Sequence, residues 1–283
     1  MDLRSPDVAD GKSREVQQEL NAEASWDLFD SAAYVDRNYR FLRSDDAQIL
    51  HMVRDHFSDY FRERPGRSGE AGATGTGRSG GPVLGIDVGA GANLYPALSM
   101  LPWCDAITLF ERSAANVEYL EGQRPHYDAH WNDFWDVLCE EDAYRDLPGD
   151  EEPRARFRRT VEVQQGDLFS LDRYRGRWSM GTMFFVAESM STSHQEFETG
   201  VERFMHALAP GAPFAAAFME GSRGYKVGEQ FFPACSVTAA EVRDSVVPYA
   251  EGDVRIASIG MPGGALRPGY EGMIVACGRR NSA

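Results

Sequence analysis

The sequence predicts an α/β fold: a doubly wound sheet of seven strands that ends in an antiparallel hairpin. Three observations carry this. From residue 83 onward, short apolar and β-branched runs alternate with stretches whose apolar residues recur at helical spacing. The first run, VLGIDV, leads into GAGANLYPAL, where two glycines one residue apart open a helical pattern, as at the ligand-binding edge of a parallel sheet. The last two runs, Val254 to Gly260 and Met273 to Cys277, have no helical stretch between them and so pair as a hairpin.

Taken in chain order, residues 1–24 form a polar tail expected to be disordered. Residues 25–61 form a helical arm, with Ile49, Val53, His56, Phe57, Tyr60 and Phe61 at helical spacing. Residues 62–82, RERPGRSGEAGATGTGRSGGP, are too rich in Gly and Ser to bury a core and read as a flexible linker. The main domain spans 83–280, with strands at Val83 to Val88, Ala106 to Glu111, Val161 to Gly166, Met180 to Ala187 and Phe214 to Met219 ahead of the final pair. Phe197, Val201, Phe204, Met205 and Leu208 share one helix face, and Ala209-Pro210-Gly211 stops that helix. Thr238 and Glu241 form a capping box that starts another. Residues 122–160 are an insertion in which Trp131, Phe134, Trp135 and Leu138 lie on one helix face, either packed into the core or capping a pocket over the sheet.

Composition excludes several classes. A formal net charge of −15 opposes nonspecific binding to nucleic acid, and the run Arg154, Arg156, Arg158 and Arg159 reads as a solvated face rather than a phosphate-binding patch. No apolar run approaches the ~18 residues that span a bilayer, and the polar start has no apolar core for a signal peptide. Four widely spaced cysteines without a C-x-x-C pair fit a reducing compartment, and a soluble, cytoplasmic protein is expected. His126 and His130 are four apart but lack a third ligand at zinc spacing, so no metal site is expected. A monomer is compatible with all of this.

The G-x-G turn needs residues without a Cβ where a ligand meets backbone, and Gly89 and Gly91 supply them. A dinucleotide turn wants a third glycine three places on, where a pyrophosphate approaches the helix N-terminus; this chain has Leu94 there. Twenty residues past Gly91 the second strand ends in Glu111, placed to accept both hydroxyls of an adenosine ribose, a feature common to NAD and S-adenosylmethionine (SAM) sites. The third strand ends in QQGDLF, placing Asp167 where a carboxylate takes an adenine amino group. Together with the terminal hairpin these features favour SAM, a Rossmann-like methyltransferase sheet, and the product S-adenosyl-L-homocysteine.

The chain resembles the small-molecule methyltransferase family that includes nicotinamide, phenylethanolamine and indolethylamine N-methyltransferases. YVDRNYRF (34–41) resembles the family's tyrosine-bearing arm, IDVGAGANLY (86–95) its donor turn, ALAPGAPFAAAFME its turn into the fifth strand, and YKVGEQFF (225–232) its late G-E-Q segment. The resemblance implies that Tyr34 and Tyr39 fold over the donor. It places Gly89, Gly91 and Tyr95 along the donor's methionine part, Glu111 and Asn116 on its ribose, and Asp167 with Leu168 on its adenine, with Asn93 as a further cofactor-binding residue. Glu220 falls at the family's acceptor-binding acid, with Glu188 and Tyr34 as further candidates for the chemistry. Three departures stand out: Asn38 replaces the first tyrosine of the family's frequent pair, GSRGYKVGEQ is short, and the Gly-rich linker 62–82 is longer than the family pattern.

Methyl transfer from a sulfonium is an in-line displacement, so alignment and exclusion of water are the protein's main tasks. An alkyl amine must lose a proton before attack, and Glu188 or Glu220 is the expected acceptor of it. A pyridine nitrogen or an indole carbon needs no prior base, and the carboxylates then orient the substrate. Phe184, Phe185, Tyr225, Phe231 and Phe232 read as an aromatic wall for a flat acceptor or as core. The expected function is N-methylation of a small aromatic or heteroaromatic amine in specialised, natural-product metabolism, with C-methylation of an indole-like ring as the alternative. A nicotinamide-dependent oxidoreductase and a noncatalytic SAM-binding module are the readings from other classes.

Overall fold

The computed structural model describes residues 18–63, 81–149, 151–260 and 270–282. Most of the expected linker and the first seventeen residues of the tail lie outside the described residues. After two short 3-10 turns at Asn21–Glu23 and Trp26–Leu28, the arm is built from α1 (Ser31–Asn38) and α2 (Ser44–Arg62). The sheet then runs β1 (Leu84–Val88), α3 (Tyr95–Met100), β2 (Ala106–Glu111), α4 (Ala114–Gln123), and the inserted helices α5 (Trp131–Leu138), α6 (Asp142–Arg145) and α7 (Pro153–Thr160). It continues with β3 (Val161–Gln165), β4 (Met180–Phe184), α8 (His194–Ala207), β5 (Pro213–Glu220), β6 (Tyr225–Val227), β7 (Gln230–Phe232), α9 (Ala239–Val246), β8 (Arg255–Gly260) and β9 (Gly272–Arg279).

Seven of these strands form one sheet in the order β3-β2-β1-β4-β5-β9-β8. The first five are parallel, and β9 inserts antiparallel between β5 and β8, which is the hairpin the sequence predicts. Strand order reverses between β1 and β4, so a crevice opens there, outside the carboxyl ends of the strands. All seven predicted strands are present, but β4 stops at Phe184, three residues early. Phe185 has φ of 61°, a conformation that cannot extend a strand, and its N–H donates to Ala217 O at 2.7 Å.

The pleat sorts the core into two layers. Ile107 and Leu109 of β2 face Leu98 and Met100 of α3 together with α2 and α5, while Ile86 and Val88 of β1 face Phe204 and Met205 of α8. On α2 the predicted residues Ile49, Val53, Phe57, Tyr60 and Phe61 are all buried, and this helix covers one face of the sheet. The insertion's Trp131, Phe134, Trp135 and Leu138 form a buried face on α5 within the same layer. Arg156 is spent on the carbonyls of Leu101, Pro102 and Cys104, Arg154 lies over the Tyr127 ring, and Arg159 pairs with Glu151. Among the described residues no helix is long and apolar enough to cross a membrane.

Candidate active site

At the crevice a pocket open to solvent is walled by the turn after β1, the ends of β2, β3 and β4, the arm, and the start of β6. Its floor is the glycine turn. Gly89 and Gly91 both have positive φ, 63° and 57°. A Cβ on Gly89 would stand 2.6 Å from Val186, whereas one on Gly91 would meet only Gly89 O at 3.7 Å, in space that belongs to the cavity. Asn93 accepts from Tyr95 N at 3.2 Å and fixes the entry into α3. Leu94 is fully buried in the core, so the place where a dinucleotide turn admits a phosphate is filled.

Glu111, the last residue of β2, forms the next wall. Its carboxylate accepts from Gly91 N at 2.8 Å and from Ser113 N at 2.7 Å, which ties the turn to the adjacent strand end. Burial pushes its carboxyl above the ordinary range, and the hydrogen bonds from Ser113, Gly91 and Asn116 pull against that shift. Its oxygens only accept when ionised, so the group can hold donors at the edge of the cavity. Asn116 sits on the first turn of α4, which Ser113 caps, and its Oδ1 accepts from Ser31 Oγ at 2.7 Å. Ser31, on α1, thereby joins the arm to this corner.

The other walls are aromatic. Tyr34 and Tyr39 come from the arm, Phe184 and Phe185 from the end of β4, and Tyr225 from β6; Leu168 completes the β3 side. Tyr34 and Tyr39 stand edge to face at 5.7 Å. Burial holds the Tyr39 phenol well above its ordinary value, with Tyr34, Tyr95 and Asp46 adding to the shift, so it stays neutral and is no base.

Four expected site residues lie outside this wall. Tyr95 is fully buried behind it, stacked on Phe134 at 5.6 Å and packed between Tyr39 and Phe184, with its hydroxyl toward the Asp46 carboxyl. Glu188 is fully buried, and its carboxylate accepts from Met219 N at 3.0 Å and Ser189 Oγ at 2.9 Å, bracing the end of β5. Glu220 ends β5, bridged to Val237 and paired with Gly272. Asp167 caps the 3-10 turn that follows β3, accepting from Phe169 N at 2.8 Å, and pairs with Arg112 at 3.2 Å.

Sequence reasoning missed Asn21, Trp26, Phe29, Arg112, Ser189 and Met190, all of which line the cavity. Trp26 and Phe29 carried a signal, being bulky apolar residues next to a polar tail. Asn21 carried none, since it lies inside what reads as that tail.

A G-x-G turn whose third position is filled by Leu94, an acid at the end of the second strand that holds that turn, and a sheet closed by an antiparallel hairpin fit the SAM-dependent methyltransferases, and the family match places the chain among them. Within that class the chain belongs to the NNMT/PNMT/TEMT family, whose model matches residues 17–262. A search of curated protein sequences finds no match. Among solved structures, the chain is similar to a SAM-dependent methyltransferase of Methanosarcina mazei at 12% identity and a TM-score of 0.49, covering 71% of this chain and 93% of that one. It is also similar to the SAM-bound amino pentose methyltransferase of Micromonospora echinaspora involved in calicheamicin biosynthesis, at 15% identity and a TM-score of 0.44, covering 87% and 95%.

Proposed function

We propose that this methyltransferase methylates a small aromatic or heteroaromatic molecule, at a nucleophile that needs no deprotonation before it attacks. One observation carries the reading: among the described residues Glu111 is the sole carboxylate in the cavity wall, and eight of the other wall residues are aromatic. A ring nitrogen of the pyridine type fits best, because its lone pair is free at neutral pH. An electron-rich ring carbon is the second reading, since it too attacks before any proton leaves.

Bound SAM supplies an electrophilic methyl group whose departure neutralises the sulfonium. The chain's residues do the rest. Gly89, Gly91 and Asn93 give the methionine portion a backbone floor, Glu111 and Asn116 take the ribose hydroxyls, and Leu168 flanks the adenine. Tyr34 and Tyr39 close over the reacting end. Aromatic faces favour a cation, so Tyr34, Tyr39 and Phe184 stabilise the sulfonium while keeping water away. Phe184, Phe185 and Tyr225 hold a flat acceptor by stacking. On this reading Glu188 and Glu220 shape the loops behind the cavity rather than accept a proton.

Turnover of matched acceptors tests this: a pyridine, an indole and a primary arylalkylamine, each followed from pH 6 to 9 with the acceptor at saturation. The reading predicts methylation of the heteroaromatic rings with a flat profile. Turnover confined to the alkylamine, and abolished by Glu188→Gln or Glu220→Gln, would refute it.

A further inference from the structure

The chain from Glu19 to Trp26 forms a strap across the corner where β2 and β3 end. Glu19 N donates to Thr192 Oγ1 at 2.9 Å, and Thr192 N donates back to Glu19 O at 2.9 Å. Asn21 N donates to Glu196 Oε2 at 2.9 Å, and Asn21 O receives both the Arg112 guanidinium at 2.8 Å and Trp26 Nε1 at 3.1 Å. Asn21 itself is 4% exposed, which is unusual for an asparagine in so polar a stretch.

Its side chain has one orientation available. Nδ2 lies 3.3 Å from Asp167 Oδ2, and an ionised carboxylate only accepts, so the amide nitrogen must face Asp167. The carbonyl oxygen Oδ1 then points elsewhere, and no described residue donates to it. Asn21 and Arg112 line the cavity; Asp167 does not. The Asp167 oxygens are already engaged by Arg112, Asn21 and Phe169 N.

We infer that Asn21 is a donor-binding residue whose Oδ1 accepts a hydrogen bond from the adenine amino group, and that Asp167 and Arg112 are the positioning residues that hold it there. This rests on the proposed placement of adenine between the ends of β2 and β3. It replaces the expected direct contact of Asp167 with adenine by an indirect one.

Calorimetry with two product analogues tests it, S-adenosylhomocysteine and its inosine counterpart, in which an oxo group replaces the adenine amino group. The parent is expected to prefer the adenine form by about tenfold, the size of one buried hydrogen bond. Asn21→Ala is expected to bind the adenine form about tenfold more weakly, to bind the inosine form as the parent does, and so to lose the preference. Arg112→Ala should shift the preference the same way while leaving Asn21 in the chain. If Asn21→Ala keeps the parent's preference, the inference is overturned while the donor site stands. If the parent binds S-adenosylhomocysteine without any preference for adenine, the placement of adenine fails and the inference with it. Thermal unfolding without ligand shows whether either variant has lost the fold.

Discussion

At the scale of single residues, the two glycines of the donor turn have separable tasks. Gly89→Ala drives a Cβ into Val186 and is predicted to lower the melting temperature, because the contact is at 2.6 Å and both groups are fixed. Gly91→Ala has room apart from the backbone strain of its positive φ, so it is predicted to cost only about 1 kcal/mol of stability. Its methyl group enters the cavity, so the larger loss should be in affinity for S-adenosylhomocysteine. Glu111→Ala removes the acceptor of two backbone N–H groups and, on the proposed placement, of the ribose hydroxyls. A loss of about 100-fold in donor affinity is expected by calorimetry, from hydrogen bonds to charge worth about 1.5–3 kcal/mol each. Parent-like binding by Glu111→Ala would show that the ribose lies elsewhere. These residues were legible in the sequence because turn chemistry and strand ends are local. The resemblance implies Tyr95 along the donor's methionine part, whereas its ring lies behind the cavity wall: which way a ring at the start of a helix points is decided by Tyr39, Phe134 and Phe184, which come from three other segments.

At the scale of elements, the roof of the site has its own small core. Phe29, Tyr225, Val227 and Phe232 cluster apart from the two main layers, with Trp26 stacked on Phe232 at 5.1 Å. The arm and the β6–β7 hairpin are therefore held to each other through this cluster. Phe232→Ala is predicted to cost about 3 kcal/mol locally and to speed release of S-adenosylhomocysteine in stopped flow, with less effect on the melting temperature of the sheet. Unchanged release would show that the roof opens without parting this cluster. The strands of the main sheet could be read from apolar runs, and the capping box of α9 from Thr238 and Glu241. The hairpin of β6 and β7 could not, since three-residue strands flanked by glycines are too short to show alternation. The early end of β4 had no signal either, because nothing in the sequence marks Phe185 for a left-handed conformation.

For the whole molecule, buried ionisable groups set how stability varies with pH. Burial raises Asp87 to about 8 and Asp46 to about 7, Asp46 with help from Asp45, so both keep a proton in the folded chain that they lose near pH 4 when unfolded. The folded state then binds more protons between those values, and stability falls as pH rises, by about 1.4 kcal/mol per pH unit for each group. Burial lowers His56 to about 4, so the unfolded chain binds the extra proton between about 4 and 6.5 and stability rises with pH there. The opposing slopes partly offset each other below pH 6.5, and the decline should be clearest from there to pH 8. Urea unfolding at pH 6.5 and 8 is predicted to show a smaller decline for Asp87→Asn, which keeps an acceptor for the Thr182 hydroxyl, than for the parent. Equal declines would place the ionisation of Asp87 outside this range.

The account as a whole rests on methyl transfer to a small aromatic molecule. Its most direct test is incubation of the purified protein with a metabolite extract of its native host and equal amounts of ordinary and trideuteromethyl SAM, followed by mass spectrometry. The account predicts a paired peak, split by three deuterium substitutions, on a low-mass aromatic product whose fragmentation places the label on the ring system. A pair found instead on an aliphatic amine or a macromolecule would contradict it.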